Sequence, residues 1–475
     1  MINILWGILG MTVVLGLALL LSVDRRKIKV RTVLVALGIQ VFFAVLVLYV
    51  PWGQTALGAV TRGVQAVIDQ AQAGIDFLFG DLVEAGGAPF ALTVLPIIIF
   101  FASLTAVLYH LRILQLVVRF IGGGLQKVLG TSRAESMNAA ANIFVGQTEA
   151  PLVIRPYIAG MTKSELFAVM VGGLSTVAGS VLVGYSQLGA DLEYLIAACF
   201  MAAPGALLMA KIIVPAGSYG ERDAAVTEKQ EAEALSSTHS SAMGGARYTR
   251  SEGAESQDSA EGAVTLRERP GAPSDVPAET SETPVEPAGP AANVASADPD
   301  EEPARNVIDA AARGASDGLK LAANVGAMLL AFISLIALLN VMVGGVSGWF
   351  GLDGVTIEGI LGYIFAPVMW VVGVPWGEAV SAGSFLGQKI VLNEFVAFAD
   401  FGPQVDSFSP KAAAVITFAL TGFANLSSLA ILLGGLGMIA KNRRSDIAQL
   451  GLRAVAGGTL ANLMSAAIVG MIIVS

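Results

Sequence analysis

Long apolar runs of 18 residues or more, almost free of charge, recur along this chain of 475 residues. A lipid bilayer offers no water to backbone N–H and C=O groups, so runs of this length fold as membrane-spanning helices. We therefore predict an all-α polytopic membrane protein with about eight transmembrane helices. The candidate spans are residues 2–23, 31–50, 91–117, 163–186, 190–214, 318–343, 411–440 and 454–474.

The basic residues fall in alternate connections between these spans and so predict their orientation. Residues 25–31, 119–133 and 441–453 are basic, whereas connections such as 186–193 and 344–353 hold no lysine or arginine. Since positive charge favours the cytoplasmic side, we expect both termini outside the cytoplasm. A basic cluster after the first span, with none before it, predicts a retained helix rather than a cleaved signal peptide.

Cysteine and histidine are scarce. The chain has one cysteine, Cys199, and two histidines, His110 and His239. A single cysteine forms no intrachain disulfide, and the two histidines show no metal-ligand spacing. These counts argue against an enzyme that uses zinc or a Cys–His pair.

The acidity of the chain belongs to one segment, residues 217–306. This segment carries 18 acidic and 7 basic residues, against a net charge of −9 for the whole chain, so the remainder is slightly basic. It is rich in Pro, Ala, Ser, Glu and Gly and cannot bury enough apolar surface to offset the entropy of ordering. We predict a disordered cytoplasmic tether, with a regulatory or interaction tail as the alternative.

Two short helices lead to carboxylates in apolar surroundings. Ser132 and Glu135 predict a capping box that opens a helix ending near Val145. Roughly thirteen residues reach about 20 Å, too short for a hydrocarbon core of about 30 Å. A second short helix, near 378–392, breaks just before Glu394. Both segments predict re-entrant hairpins, one entering from each face of the membrane.

Each hairpin is followed by an apolar segment interrupted by small and polar residues. Thr162 is the predicted cap of the first segment, whose middle, residues 172–180, reads GGLSTVAGS. Ser409 begins the second, whose middle, residues 421–428, reads TGFANLSS. A hairpin followed by a broken helix, repeated in inverted orientation, is typical of secondary transporters that bind substrate between the two halves.

Gln147, Thr148 and Glu149 form a polar cluster at the predicted tip of the first hairpin. A charge near the bilayer centre costs at least ~2.5–3.5 kcal/mol, so such a cluster indicates a ligand site. The alternative is a local cap that satisfies free backbone N–H groups. Three consecutive polar side chains exceed what capping needs, so we favour the ligand site.

Asn393 and Glu394 mark the tip of the second hairpin. An ionised carboxylate only accepts hydrogen bonds, so it suits a hydroxyl-bearing substrate or a cation. The alternative is a structural salt bridge with Lys389 or Lys411. We favour the substrate role for Glu394.

Neutral oxygens lie near both breaks. Asn142 and Thr176 could contribute to an oxygen cage for a monovalent cation, as broken transporter helices do. From the residues alone, helix–helix packing is the better interpretation of these two positions. Phe423 could stack on a planar ring, although packing is the more usual role of a lone aromatic residue in a span.

An ordered set of motifs resembles the concentrative nucleoside transporter family over residues 75–216 and 311–475. The motifs are GQTEAP at 146–151 with the segment through Tyr185, GQK at 387–389, NEF at 393–395 and GFANLSS at 422–428. The resemblance implies a sodium/nucleoside symporter. In that family a homotrimer carries one nucleoside per protomer, usually driven by a sodium gradient.

The resemblance also implies a role for each matching residue in substrate binding. The residues implied in base recognition are Gln147, Thr148 and Glu149, with Val181 beside the base. Those implied in ribose recognition are Glu394, Asn425 and Ser428, with Phe423 beside the sugar.

The resemblance implies a sodium site in the first repeat. Its side-chain ligands would be Asn142 and Thr176, and its carbonyl ligands Val145, Thr176 and Val177. Thr176 stands where the resemblance leads us to expect serine; it keeps the hydroxyl and adds a methyl group. Sodium is therefore the predicted coupling ion, with a proton as the alternative.

We divide the chain into six segments. They are N-terminal membrane helices with an amphipathic segment (1–130), the first transport repeat and following span (131–216), the acidic insert (217–306), a scaffold helix with an interfacial segment (307–377), the second transport repeat (378–440) and the C-terminal helix (441–475).

The predicted function is import of nucleosides through the cytoplasmic (plasma) membrane by ion symport and alternating access. The predicted partners are a nucleoside, the lipid bilayer and two further copies of the chain, without nucleic acid. We predict no enzymatic activity. Two other classes stay open: an intramembrane hydrolase with Glu149 and Glu394 as an acid–base pair, and a membrane anchor through which the acidic insert acts as a sensor.

Overall fold

The computed structural model describes residues 2–80, 82, 90–220, 304–352 and 354–473. Within these ranges all regular structure is helical. Seven helices there have the length and apolar character needed to cross a membrane, and an eighth span results if one sharply bent pair is counted as one. The predicted all-α polytopic membrane fold is confirmed.

The N-terminal helices precede the first hairpin. They are α1 (Ile2–Leu20), α2 (Val30–Leu48), α3 (Pro51–Phe79), α4 (Leu95–His110, after a single turn Phe90–Thr93) and α5 (Ile113–Leu129). The span predicted over 91–117 is present but ends earlier, at His110, because Arg112 adopts a left-handed conformation (φ 61°) after α4. Helix α3 buries Ile68, Ala71 and Ile75 at helical spacing, as an amphipathic segment should.

A reciprocal cap opens the first hairpin. The Glu135 N–H donates to Oγ of Ser132, and the Ser132 N–H donates to the Glu135 carboxylate over 2.9 Å. This predicted capping box begins α6 (Arg133–Ala141). Nine residues reach only about 14 Å, so α6 ends within the membrane.

Helix α6 stops earlier than the predicted end near Val145. The backbone tightens after Ala141. There the Phe144 N–H donates to the carbonyl three residues earlier, that of Ala141, and not to the carbonyl four residues earlier as in an α-helix. The chain then returns through the turns Ala150–Ile154 and Arg155–Ile158. Proline at the start of each turn lacks the N–H that a first turn leaves unpaired.

The first broken helix follows the hairpin directly. Thr162 and Glu165 form a second predicted capping box, which opens α7 (Lys163–Ser175). After a break of three residues, α8 runs from Gly179 to Gln187. Every residue from Ser164 to Ser175 is buried, so this break lies inside the protein.

The second repeat has the same parts. The hairpin consists of α12 (Trp376–Val391) and α13 (Glu394–Phe401), and Asn393 caps α13 by accepting from the Val396 N–H over 2.9 Å. Ser409 caps α14 (Pro410–Leu420), and α15 (Leu426–Ile439) follows the break, as predicted. Asn425 is the cap of α15.

Two long helices complete the buried part of the protein. They are α9 (Leu192–Ile213) and α16 (Arg444–Ile472), which starts ten residues before the predicted span 454–474. Most of their residues are buried, whereas α1, α2 and α10 (Val307–Gly348) leave large apolar side chains exposed. Such exposed apolar surface is expected where helices face lipid.

Helix α10 is much longer than the predicted span 318–343. Asn306 caps it by accepting from the Asp309 N–H over 2.9 Å, and its 42 residues reach about 63 Å. The next helix, α11 (Ile357–Val371), bends by 117° into α12. This bend begins the second hairpin.

The acidic insert predicted over 217–306 lies largely outside the described residues, which stop at 220 and resume at 304. The predicted tether therefore stays a prediction.

Candidate functional site

The two hairpin tips and the two breaks surround one cavity of about 110 Å³. Helix α10 forms the opposite wall through residues such as Leu321, Val325 and Leu329. Seven of the eight predicted substrate residues line this cavity: Gln147, Thr148, Glu149, Val181, Glu394, Phe423 and Ser428. Segments far apart in sequence thus contribute to a single site.

The tip of the first hairpin presents its polar cluster to this cavity. Gln147 is buried, and its Oε1 accepts no hydrogen bond from the described residues. Glu149 lines the cavity and makes no side-chain capping bond to the turn that follows, but its carboxylate accepts from the Gly146 backbone N–H. The capping alternative for Glu149 therefore stays open, whereas the Gln147 oxygen is available to a ligand.

Glu394 is buried and held by two neutral donors. The Tyr185 hydroxyl donates to Oε1 over 2.9 Å, and the Asn425 Nδ2 donates to Oε2 over 2.7 Å. Each carboxylate oxygen has two acceptor positions, so further donors can be accommodated. The site therefore presents a fixed acceptor to the cavity.

The salt-bridge alternative for Glu394 is wrong for the described residues, among which its carboxylate forms no ion pair. The Lys389 ammonium donates instead to the Ala419 carbonyl and to Asn462. The Lys411 ammonium donates to Oδ1 of Asn3 over 3.1 Å. Both lysines are thus bound to neutral oxygens.

Tyr185 is a site residue that the sequence analysis did not single out. Its ring is fully buried, stacks on Phe398 at 4.4 Å and meets Phe395 edge-on at 4.9 Å. This packing fixes the direction in which the hydroxyl points. The available signal was its spacing, because Tyr185 lies one helical turn after Val181 and so shares its face of α8.

Asn425 lies behind the cavity and does not line it. Its Oδ1 accepts from the Ser428 N–H over 2.7 Å and from the Ser427 hydroxyl over 2.8 Å, while its Nδ2 holds Glu394. The amide is thus committed to the cap of α15 and to orienting Glu394. A direct contact between Asn425 and ribose stays a prediction.

The predicted cation site lies where α6 and α7 end. Asn142 is fully buried, and its Oδ1 accepts no hydrogen bond from the described residues. The Thr176 hydroxyl donates to the Gly172 carbonyl over 3.0 Å and keeps its lone pairs. An unpaired buried oxygen of this kind is costly unless something binds it.

The surroundings of Asn142 favour positive charge. The Gly179 N–H donates to the Phe144 carbonyl over 3.2 Å, which joins the hairpin tip to the break of α7 and α8. Both α6 and α7 end there with carbonyl groups that carry partial negative charge. These neutral oxygens fit a sodium ion, and the predicted ligands Val145 and Val177 belong to the same two segments.

Three family models match this chain. They are the Na+ dependent nucleoside transporter N-terminus over residues 9–82, nucleoside recognition over 91–192, and the Na+ dependent nucleoside transporter C-terminus over 275–470. The transporter YutK of Bacillus subtilis is 50% identical over 99% of this chain and 100% of its own. A nucleoside permease of Helicobacter pylori is 42% identical over 99% of this chain and 98% of its own.

This chain belongs to the Na+-dependent nucleoside transporter family. The family is one of transporters, which is consistent with a protein that carries out no enzymatic reaction. The resemblance identified from the motifs is confirmed.

Solved structures agree with this assignment. CNTnw in an inward-facing substrate-bound state matches with a TM-score of 0.79 at 46% identity, over 99% of this chain and 98% of that one. A CNTnw variant in an outward-facing state matches with a TM-score of 0.80 at 46% identity, over the same shares of the two chains. The fold is therefore one for which both inward- and outward-facing states have been captured.

Proposed function

We propose that this chain imports nucleosides through the cytoplasmic membrane by sodium symport and alternating access. The observation that carries the proposal is the convergence of polar residues from both repeats on one cavity between the hairpin tips. Glu394, held by Tyr185 and Asn425, is its fixed acceptor. The family to which the chain belongs supports both the substrate class and the ion.

The two tips suit the two ends of a nucleoside. The first tip offers an unpaired amide oxygen on Gln147 together with Thr148 and Glu149, which match the donors and acceptors at a base edge. The second tip offers the Glu394 carboxylate, which can accept from ribose hydroxyls. A hydrogen bond to a charged group contributes about 1.5–3 kcal/mol, so Glu394 is a strong contributor to affinity.

The cavity is too small for such a ligand in this conformation. Its volume of about 110 Å³ lies below the ~300–1,000 Å³ that is usual for small-molecule clefts. A nucleoside therefore requires the tips and α10 to separate. A site that closes around its ligand in this way suits alternating access.

Asn142 and Thr176 would hold the sodium ion, together with carbonyls of Val145, Thr176 and Val177. A bound ion supplies the positive charge that neutral oxygens at two helix ends lack. The protein itself joins this region to the substrate site, because a Cβ on Gly173 would lie 2.9 Å from the Gln147 Cβ. Ordering the break would thus order the tip that carries Gln147.

The sequence and the family support a proposed arrangement in the membrane. Basic connections place both termini outside the cytoplasm, and the family resemblance leads us to propose a homotrimer. The six-segment division fits the same scheme, with the repeats at 131–216 and 378–440 carrying the site. Cross-linking of the purified protein would test the trimer, and labelling of single introduced cysteines would test the orientation.

Uptake by reconstituted protein tests the function. Proteoliposomes are given radiolabelled uridine or adenosine with an inward gradient of sodium, of choline, or of protons in choline medium. We expect accumulation of intact nucleoside in the sodium gradient alone. Accumulation driven equally by the proton gradient would establish proton coupling instead.

Two further results would contradict the proposal. Recovery of chemically altered nucleoside would favour the hydrolase alternative, and the absence of uptake in every gradient would exclude nucleoside symport. Empty liposomes and liposomes with a Glu394→Gln variant serve as controls for leakage and for the site.

A further inference from the structure

Lys389 is a fully buried lysine whose ammonium group has no carboxylate partner among the described residues. It lies in the last turn of α12, and its Nζ donates to the Ala419 carbonyl over 2.7 Å and to Oδ1 of Asn462 over 2.9 Å. Glu394 attracts this ammonium through space without contacting it, and burying a charge without a direct ion pair is expensive. A fixed cation among neutral oxygens therefore needs a functional explanation.

This position is the counterpart of the predicted sodium site in the other repeat. Asn142 comes just before the first tip and lies against α7, since a Cβ on Gly172 would be 3.3 Å from its Nδ2. Lys389 comes just before the second tip and bonds the last turn of α14. In each repeat, the end of a hairpin helix thus meets the end of a broken helix.

The two breaks also match in detail. Thr176 follows α7 directly and Thr421 follows α14 directly. Each threonine hydroxyl donates to the carbonyl four residues earlier, over 3.0 Å in the first repeat and 2.7 Å in the second. Both sites are therefore lined by carbonyl groups at helix ends, an environment that attracts positive charge.

Asn462 connects the Lys389 ammonium to both breaks. Its Nδ2 donates to the Ser175 carbonyl and to the Thr421 carbonyl, each over 2.7 Å, while its Oδ1 accepts from Lys389. The ammonium thus fixes which end of the amide faces the breaks, because an ammonium can only donate. Through Asn462 it acts on both halves of the substrate site.

We propose that Lys389 is the built-in cation of the second repeat, a positioning residue whose ammonium stands where the first repeat must recruit an ion from solution. Only one ion is then needed to complete two equivalent sites. This inference rests on the proposed sodium coupling. A lysine with a purely structural role would affect stability without changing how many ions accompany a nucleoside.

Uridine binding to purified protein, measured by calorimetry across a sodium series, tests this role. We expect a Hill coefficient for sodium of about 1 in the unsubstituted protein and about 2 in Lys389→Asn, whose amide oxygen would make the second site ion-dependent. Lys411→Met is the matched control, because Lys411 is also buried in the second repeat but contacts Asn3 and the Trp6 ring, both on α1 and away from the two breaks. Its Hill coefficient should stay at that of the unsubstituted protein.

The reverse exchange, Asn142→Lys, places an ammonium in the first repeat. We expect this variant to bind uridine equally well in sodium and in choline. If Lys389→Asn does not fold, the Asn142→Lys variant alone tests whether an ammonium can replace the ion. An unchanged Hill coefficient in folded Lys389→Asn would overturn the proposal. So would a folded Asn142→Lys protein that binds no uridine, or binds it only with sodium. If the unsubstituted protein itself shows no sodium-dependent binding, the proposed function has failed instead.

Discussion

The Tyr185 hydroxyl donates to Oε1 of Glu394 over 2.9 Å, although the two residues are 209 positions apart in sequence. Tyr185 belongs to the broken helix of the first repeat and Glu394 to the hairpin of the second. This hydrogen bond therefore joins the two repeats directly at the cavity.

Tyr185→Phe should weaken uridine binding about 10- to 100-fold, because loss of a hydrogen bond to a buried charged group costs about 1.5–3 kcal/mol. The ring packing against Phe398 remains, so the protein should stay folded. Calorimetry at saturating sodium measures the effect. Tyr194→Phe removes the same atom from a half-buried ring outside the cavity and should leave affinity unchanged.

Glu394→Gln should reduce nucleoside uptake about 10- to 100-fold while the protein remains folded. An amide presents a donor on one side, so it cannot accept from both Tyr185 and Asn425. Initial uptake rates in proteoliposomes measure the loss, and gel filtration checks folding. Glu193→Gln, at an exposed carboxylate, is the control. Uptake at the unsubstituted rate would remove Glu394 from the substrate site.

Asn142→Ala should raise the sodium concentration needed for half-maximal uridine binding at least about tenfold, since a buried ion ligand is lost. Thr176→Ser keeps the hydroxyl and should shift the midpoint only slightly. A sodium titration of uridine binding compares the two variants. Equal midpoints for Asn142→Ala and the unsubstituted protein would place the ion elsewhere.

Gly422→Ala should destabilise the fold by about 1–3 kcal/mol, because overpacking forces neighbours to move. The added Cβ would lie 2.3 Å from Oδ1 of Asn462. Gly434→Ala, on α15, meets no atom within 4 Å and should be neutral or slightly stabilising. Thermal unfolding of both variants in detergent checks the difference, which should vanish if Asn462 can be displaced at no cost.

Replacing residues 221–303 by a Gly/Ser linker of equal length should leave sodium-driven uptake within about twofold. A segment of this composition is predicted to stay disordered, so it would connect the flanking helices without packing against them. Proteoliposome uptake provides the measurement. A large change in rate would instead support the regulatory alternative for the insert.

Helix ends were the most predictable part of the fold. Ser132, Thr162 and Ser409 all cap the helices predicted for them, because a cap depends on residues within one turn of each other. The start of α10 was missed by eleven residues. Its cap, Asn306, stands at the edge of the acidic segment, where the apolar pattern had not yet begun.

The site was predictable where motifs are local and unpredictable where contacts cross the repeats. Gln147 and Glu394 stand out as polar residues in apolar surroundings. Tyr185, which bonds Glu394, and Asn462, which bonds Lys389, do not stand out, since they are ordinary residues of α8 and α16 until the fold brings them close. Which of these residues meet depends on how the helices pack, and a single sequence does not show that packing.

The cavity has one continuous wall, α10, and one wall made of tips and breaks. Along α10 the lining side chains recur at helical spacing, as Leu321, Val325 and Leu329 do. A step of one turn toward the C-terminal end of α10, about 5.4 Å, would therefore set the same pocket against a further apolar stretch of this helix. If the hairpins moved along this helix together with the breaks, the bonds from Tyr185 and Asn425 to Glu394 would stay intact around the ligand.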